Sequence, residues 1–260
     1  HVSLTKTGAF VKSQARVASQ TRGQRRAFPA LLPSRAEPAM TARPAGALLF
    51  DLDGTLCDTD QLHFGAYCTL LRDFGRSITL EHYKSRIMGA PNDAIMREMF
   101  PDLDLARHRE LADRKEALFR DAISALEPTP GVTRLLDWAD ARGVGVAVVT
   151  NAPRANAEMM LKGLGLDRRI GTVVLGDELP RAKPDPLPYA TALDRLGAQA
   201  EHALAFEDSL PGIRSASGAG VATYGIRTGH PDGALLGAGA VGAIDDFDDR
   251  ALWRRLEAMF

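Results

Sequence analysis

Short runs of apolar residues recur along the chain from residue 46 onward, and most of these runs are continuous rather than alternating. A continuous apolar run is typical of a strand buried on both faces, as in a parallel sheet. We predict six such strands, the last of them more weakly marked: Ala47–Phe50, Val144–Thr150, Thr172–Leu175, Ala203–Phe206, Val221–Ile226 and Val241–Ile244.

Helical patterns separate these strands. Residues 154–164 place their apolar side chains on one side, and Gly165 ends the pattern. A later helix is predicted to begin at Asp185, a capping acid, followed by Pro186 in the first turn. Regular alternation of strand and helix predicts an α/β fold with a doubly wound parallel sheet.

The stretch from 62 to 127 shows helical spacing only. Phe64, Tyr67 and Leu71 recur at helical intervals, and no run in this stretch is typical of a strand. We therefore expect a small α-helical module over 62–127, inserted into a core formed by residues 46–61 and 128–260.

Two carboxylates stand where the first strand ends. Asp51 and Asp53 are two residues apart, and such residues point to the same face of a strand. Two acids aimed at one point repel each other unless a cation or a shared proton intervenes. Gly54 and Thr55 then supply a tight turn whose free backbone N–H groups suit an oxyanion. The pattern indicates metal-assisted phosphoryl transfer.

Polar residues also follow the later strands. In open α/β sheets, ligands bind outside the carboxyl ends of the strands. The residues expected at that edge, beside the two acids, are Thr150, Asn151, Lys183, Glu207 and Asp208.

Each residue type suits one part of a phosphoryl transfer. Asp51 is the candidate nucleophile, which would form an aspartyl-phosphate. Asp53 is the candidate general acid and then general base, and neighbouring acids are expected to help keep it protonated. The predicted phosphate ligands are Thr150, Asn151 and Lys183. We expect Mg²⁺ at a carboxylate group of Asp51, Asp53, Asp208 and Glu207.

Composition and charge bear on the partners and the location of the protein. Residues 1–39 hold seven Lys or Arg against one acid, Glu37, so the rest of the chain is acidic, since the net charge is −1. An acidic body argues against a nucleic-acid partner, and no stretch has the length of a membrane span. The two cysteines, Cys57 and Cys68, form neither a disulfide framework nor a metal motif, which indicates a reducing, cytoplasmic location.

The first residues are rich in Ser, Gln and Arg and lack the apolar core of a secretory signal. We expect residues 1–45 to be a disordered extension. It is either an untrimmed upstream translation, with the real start at Met40, or a genuine transit peptide over residues 1–39, which would indicate an organellar location.

Four segments, in order, resemble the haloacid dehalogenase superfamily: DLDGT at 51–55, VTN at 149–151, KPDP at 183–186 and FEDS at 206–209. The resemblance covers the chain from residue 46 to its end. It implies a Rossmann-like core, Mg²⁺ and an aspartyl-phosphate mechanism, and the predicted helical insertion matches the family's cap in its first position.

Further runs resemble the broad-range sugar-phosphate phosphatases of plants and, less closely, β-phosphoglucomutase. These runs are RKEALFRD at 114–121, GVTRLLDWADARG at 131–143, VVTNAPRANAEMM at 148–160 and AFEDSLPGIRSASGAG at 205–220. In the mutase, a cap arginine grips the phosphate that is not transferred, whereas this chain has Asn92 at about that place. Lys115 matches a cap lysine of the mutase. His63, one turn into the first cap helix, is a third candidate for contact with the substrate.

The resulting prediction is a phosphomonoesterase for small phosphorylated metabolites, above all sugar phosphates. A phosphomutase related to β-phosphoglucomutase, a phosphoglycolate-type phosphatase and a non-catalytic binding protein remain alternatives. The sequence leaves the oligomeric state open, with a monomer as one possibility.

Overall fold

The computed structural model describes residues 44–260, and its centre is a sheet of parallel strands. The strands are β1 Ala47–Phe50, β2 Gly145–Thr150, β3 Thr172–Leu175, β4 Ala203–Glu207, β5 Ala222–Ile226 and β6 Gly242–Ile244. Their order in the sheet is β3-β2-β1-β4-β5-β6, which is the order of a doubly wound fold. The predicted fold class is therefore confirmed. The predicted extension over 1–45 lies, up to residue 43, outside the described residues.

All six predicted strands are present, with small differences at their ends. β2 and β5 begin one residue later than predicted, because the residue before each strand is hydrogen-bonded to the end of the preceding helix. The amide N–H of Val144 donates to the carbonyl of Ala139 at 3.0 Å, and that of Val221 donates to Ala216 at 3.1 Å.

The described part of the chain contains ten α-helices. They are α1 Asp60–Arg72, α2 Leu80–His82, α3 Asn92–Met99, α4 Leu105–Ala122, α5 Val132–Arg142, α6 Arg154–Gly163, α7 Leu187–Leu196, α8 Leu210–Gly218, α9 Asp232–Ala238 and α10 Arg250–Met259. A π-helical turn, Tyr83–Ile87, follows α2 directly. Helix α7 begins after the predicted capping acid, since the Asp185 carboxylate accepts from the N–H of Leu187 at 2.9 Å.

Apolar side chains of β1 alternate between two cores, one on each face of the sheet. Leu48 and Phe50 belong to a cluster that includes residues of α5, α6 and α10. Ala47 and Leu49 belong to a second cluster with residues of α7 and α8. Burial of both faces explains why the strands are continuous apolar runs in the sequence.

Between β1 and β2 the chain forms helices only, and we call residues 60–122 the helical insert. Its helices share an apolar cluster of their own, made of Tyr67, Leu70, Leu71, Tyr83, Ile87, Met88, Ile95, Met96, Phe100 and Leu111. Helix α1 packs along α4. The helical character expected for 62–127 is thus present, while the division into a cap and a core domain stays a prediction.

The register of the parallel strands brings three strand ends to one edge of the sheet. Phe50, the last residue of β1, is paired with Val148 of β2 and with Phe206 of β4. The residues that follow these positions therefore meet at the carboxyl edge, and the N–H of Asp51 donates to the carbonyl of Phe206 at 3.0 Å. Among residues 44–260, no helix combines the length and the apolar character that crossing a bilayer requires.

Candidate active site

One cleft, between the helical insert and the carboxyl edge of the sheet, collects the residues predicted from the sequence. All of them except Glu207 line it; the lining ones are Asp51, Asp53, His63, Asn92, Lys115, Thr150, Asn151, Lys183 and Asp208. Glu207 is fully buried behind Lys183. The topology thus brings together residues that are up to 157 positions apart in the chain, from 51 to 208.

Lys183 joins two carboxylates at the base of the cleft. Its Nζ donates to Asp51 Oδ1 and to Glu207 Oε1, and the side chain is only 2% exposed. The side chain of Asn151 holds the lysine backbone in place, since its Oδ1 accepts from the Lys183 N–H at 3.3 Å. A buried ammonium is therefore fixed against the candidate nucleophile.

Burial and the neighbouring charge of Glu207 raise the pKa of Asp51 to about 8, against the opposing effect of Lys183. The pKa of Lys183 is also raised, because Asp51 and Glu207 together outweigh the burial that lowers it. The lysine is thus a fixed cation. Burial, the largest cause of the raised pKa of Asp51, disfavours the charged form of its carboxyl group.

Glu207 is held by protein groups on both oxygens. Its Oε1 accepts from the Tyr189 hydroxyl at 3.0 Å as well as from Lys183, and its Oε2 accepts from Ser209 N at 3.1 Å and Ser209 Oγ at 2.9 Å. Only glycine fits at position 212, since a Cβ there would lie 1.7 Å from Glu207 Oε1. These contacts make Glu207 chiefly an anchor for Lys183.

Three buried carboxylates lie close enough to share a cation: oxygens of Asp51, Glu207 and Asp208 all lie within 4.8 Å of one another. Burial, with Asp51 and Glu207 nearby, raises the pKa of Asp208 well above its usual value. One lysine does not balance three carboxylates, and carboxylate oxygens are the ligands that Mg²⁺ prefers. The donor set therefore fits a divalent cation. Position 54 requires glycine, because its φ is +74° and a Cβ there would lie 2.2 Å from Asp208 Oδ2.

Asp53 lies outside this group of three, and its carboxylate faces the start of the helical insert. Asp53 Oδ1 accepts from the Thr59 hydroxyl at 2.7 Å and contacts His63 Nε2 at 3.0 Å. Burial raises the pKa of Asp53, but His63 and Thr59 outweigh it, and the net pKa is lowered. The expectation that neighbouring acids keep Asp53 protonated is wrong for this arrangement, because its nearest partners are donors.

Helices α1 and α4 of the helical insert supply the contacts of His63 next to Asp53. Lys115 Nζ lies 2.8 Å from His63 Nδ1, and the His63 ring stacks on Phe119 with 3.8 Å between ring centroids. A protonated Lys115 donates to Nδ1, so the Nε2–H of His63 donates to Asp53. His63 and Lys115, predicted only as substrate contacts, thus also reach the candidate acid–base residue.

Thr150, the last residue of β2, and Asn151, which follows it, line the cleft. Thr150 Oγ1 accepts from the N–H of Ala152 at 2.9 Å, which leaves its own hydroxyl proton able to donate. Asn151 Nδ2 donates to the carbonyl of Gly89 in the helical insert at 3.1 Å. Asn151 therefore connects the two sides of the cleft through its side chain.

Among the cleft residues not predicted from the sequence are Glu116 and Asn156. Glu116, next to Lys115, accepts from Asn92 at 2.9 Å on Oε1 and from Asn156 at 2.7 Å on Oε2. The sequence did not indicate a role for Glu116, because an acid directly after a lysine is usual on a solvated helix face. Asn156 is fully buried although it lies in a helix that otherwise has an exposed polar side.

The fold and the site together define a class: doubly wound α/β proteins with carboxylates and a lysine at the strand ends, covered by a helical insert. The chain belongs to the family described as haloacid dehalogenase-like hydrolase, whose model matches residues 48–226. The resemblance noted in the sequence is confirmed, and so is the prediction of an enzyme of the hydrolase class.

Several characterised proteins are similar to this chain. A phosphorylated carbohydrates phosphatase of Thermotoga maritima is 33% identical and covers 76% of this chain and 93% of its own length. A phosphoglycolate phosphatase of Rhodospirillum rubrum is 32% identical and covers 80% and 90%. The crystal structure of CbbY from Rhodobacter sphaeroides in complex with phosphate is 27% identical, with a TM-score of 0.65, and covers 78% of this chain and 95% of its own.

Proposed function

We propose that this protein is a Mg²⁺-dependent phosphomonoesterase that hydrolyses small phosphorylated metabolites, above all sugar phosphates, through an aspartyl-phosphate on Asp51. The observation that carries the proposal is the contact between the buried Lys183 ammonium and the Asp51 carboxylate at the base of the cleft. Relatives named as phosphatases of phosphorylated carbohydrates and of phosphoglycolate support the same reaction class. Two free thiols, Cys57 and Cys68, fit the cytoplasmic location that we also propose.

In the first half of the reaction, an oxygen of Asp51 attacks phosphorus and the ester oxygen leaves with a proton from Asp53. In the second half, Asp53 removes a proton from water, whose oxygen attacks the aspartyl-phosphate, so Asp51 is restored and phosphate is released. The lowered pKa of Asp53 keeps its carboxylate ionised, as the role of base requires. The Nε2–H of His63, at 3.0 Å, is the proton donor next to Asp53 for the half of the reaction in which Asp53 acts as acid.

The phosphoryl oxygens would be held by Lys183, by the Thr150 hydroxyl and by the backbone N–H of Asn151. Mg²⁺, held by Asp51 and Asp208 with Glu207 beside them, would supply charge neutralisation that lets a carboxylate approach a phosphate dianion. The predicted role of the Asp53 carboxylate as a metal ligand has less support, since that carboxylate is bound to Thr59 and His63.

The test is phosphate release from a panel of sugar phosphates, glycerol phosphate and phosphoglycolate, with Mg²⁺ and with EDTA. Release that requires Mg²⁺ and is lost in EDTA is the expected result. Release that continues undiminished in EDTA contradicts the metal requirement, and release from none of the esters contradicts the proposed activity and favours a binding protein.

Asp53→Asn is expected to lower kcat by about 10²- to 10⁴-fold, because the amide neither donates a proton to the leaving oxygen nor takes one from water. KM is expected to change little, because Asp53 is not among the residues that hold the phosphoryl oxygens. Steady-state kinetics on the best ester of the panel measures both quantities. Asp121→Asn, an exposed acid of the helical insert, is the control; equal rates for the two variants argue against the acid–base role.

A phosphomutase is the second candidate, and it shares the first half of the reaction. It requires a cation for the phosphate that is not transferred, whereas Asn92 is neutral and donates to Glu116 at 2.9 Å. Isomerisation of glucose 1-phosphate when a glucose bisphosphate is added, with little phosphate released, would establish the mutase instead.

A further inference from the structure

The side of the cleft formed by the helical insert carries a buried carboxylate, that of Glu116, which the proposed reaction does not use. We call Glu116, Lys115, Asn92 and Asn156 the Glu116 cluster. Glu116 is 5% exposed and Lys115 3% exposed, yet both line the cleft. Lys115 Nζ donates to Glu116 Oε1 at 3.0 Å, and the amides of Asn92 and Asn156 donate to the same carboxylate.

The cluster leaves this side of the cleft without an uncompensated cation. Among the described residues that line the cleft, the two lysines are Lys115 and Lys183. Burial lowers the pKa of Lys115, against the opposing effect of Glu116. Lys183 is bound to Asp51 and Glu207 at the base, where the transferred phosphate is expected. Lys115 is paired with Glu116. A second anionic group on the substrate would therefore meet the Glu116 carboxylate with no free cation to offset it.

We infer that Glu116 is a specificity-determining residue that selects substrates with one phosphate and an otherwise neutral, hydroxyl-bearing body, and rejects those with a second anionic group. This inference rests on the proposed function. Carboxylate and amide oxygens accept hydrogen bonds from hydroxyls, so the cluster offers partners to a polyol or sugar. The carboxylate of phosphoglycolate and the second phosphate of a bisphosphate are repelled at the same place.

The contacts of Asn156 allow a variant that moves the charge without changing the net charge or the number of hydrogen bonds. Asn156 Nδ2 donates to Glu116 Oε2, and Asn156 Oδ1 accepts from the Arg120 guanidinium, each at 2.7 Å. In the double variant Glu116→Gln, Asn156→Asp, the new glutamine amide donates to the new aspartate, which still accepts from Arg120. The negative charge then faces Arg120, and Lys115 loses its anionic partner.

The experiment compares 2-phosphoglycolate with glycerol 3-phosphate in two ways. The first is kcat/KM in Mg²⁺ for the wild type and the double variant. We expect the wild type to favour glycerol 3-phosphate by at least about tenfold, and the double variant to lower that ratio by at least about tenfold, mainly by accepting phosphoglycolate better. Because each ratio is taken within one preparation, a smaller folded fraction in the variant does not change it.

The second measurement is calorimetric binding of the same two esters, in Mg²⁺, to Asp51→Asn protein with and without the double change. It separates the inference from the proposed function, since it needs no turnover. If the wild type releases no phosphate but the binding preference shifts as expected, the proposed function is wrong and the specificity role stands.

The control is Glu158→Gln, which removes an acid from the exposed side of α6, where its side chain is 67% exposed. It is expected to leave the ratio of the two esters unchanged. A wild type that uses phosphoglycolate as well as glycerol 3-phosphate, or a double variant with an unchanged ratio in both measurements, overturns the inference.

Discussion

Asp51→Asn is expected to lose phosphate-ester turnover by at least about 10⁴-fold. The amide has the size of the carboxylate but is too weak a nucleophile to form the aspartyl-phosphate. The substitution removes one of three clustered carboxylates, so it also weakens the cation site. The measurement is phosphate release in Mg²⁺ from the best ester of the panel.

The fold of Asp51→Asn is expected to persist, because the substitution removes a charge that the site accommodates poorly. Burial and Glu207 raise the pKa of Asp51 to about 8, so an ionised Asp51 costs free energy that a neutral amide does not. The amide oxygen can still accept from Lys183. The melting temperature is therefore expected to stay within about 4 °C of wild type or to rise.

Two further measurements complete this test. Acid quenching during turnover of a ³²P-labelled ester is expected to trap label on the wild type and none on Asp51→Asn. Asp102→Asn, an exposed acid of the helical insert, is expected to behave as wild type. Turnover above one hundredth of wild type, or label on the variant, would assign the nucleophile to another residue.

The strands and the residues at their ends were predictable for a simple reason. A strand buried on both faces must be apolar throughout, so β1 and β4 stand out from the amphipathic helices around them. Parallel strands place their carboxyl ends at one edge, so Asp51 and Asp208, far apart in the chain, could be assigned to one site before any contact was known. Both steps depend on local pattern and on topology alone.

The protonation of Asp53 was not predictable, because it depends on groups that the helical insert supplies. His63 comes from α1 and Lys115 from α4, and the packing of these two helices places His63 against Asp53 and Lys115 against His63. The sequence shows that Asp53 has acidic neighbours in the chain. It does not show that donors 10 and 62 positions away, at 63 and 115, dominate in space.

The Glu116 cluster was missed for a related reason. A Lys–Glu pair on a helix is usually a solvated surface feature, and nothing local distinguishes Lys115 and Glu116 from such a pair. Their burial follows from the position of α4 against the sheet edge, where Asn156 of α6 meets Glu116. Contacts between elements distant in sequence decide which polar residues form the specificity side of the cleft.

Lys183→Met is expected to abolish turnover and also to destabilise the protein, unlike Asp51→Asn. The methionine has a similar volume but no charge, so Asp51 and Glu207 would face each other in a buried site without a counterion. Removing one partner of a buried ion pair costs about 3–5 kcal/mol. For a domain of this size, that corresponds to a fall in melting temperature of roughly 6–20 °C.

The loss of stability in Lys183→Met is expected to grow as pH rises. This direction would identify the lost counterion of Asp51 as its cause. A carboxyl group whose folded pKa is raised, as that of Asp51 is to about 8, binds its proton more tightly in the folded state, so stability falls as pH rises through that pKa. Without Lys183 the folded pKa of Asp51 rises further. The deficit relative to wild type is therefore largest above pH 8 and shrinks toward pH 5.

Thermal unfolding in EDTA across this range measures the deficit, with Lys162→Met, an exposed lysine of α6, as the control. A deficit that is the same at pH 5 and well above pH 8 would mean that Lys183 stabilises the site by packing, because only a lost counterion makes the cost depend on the charge of its partners.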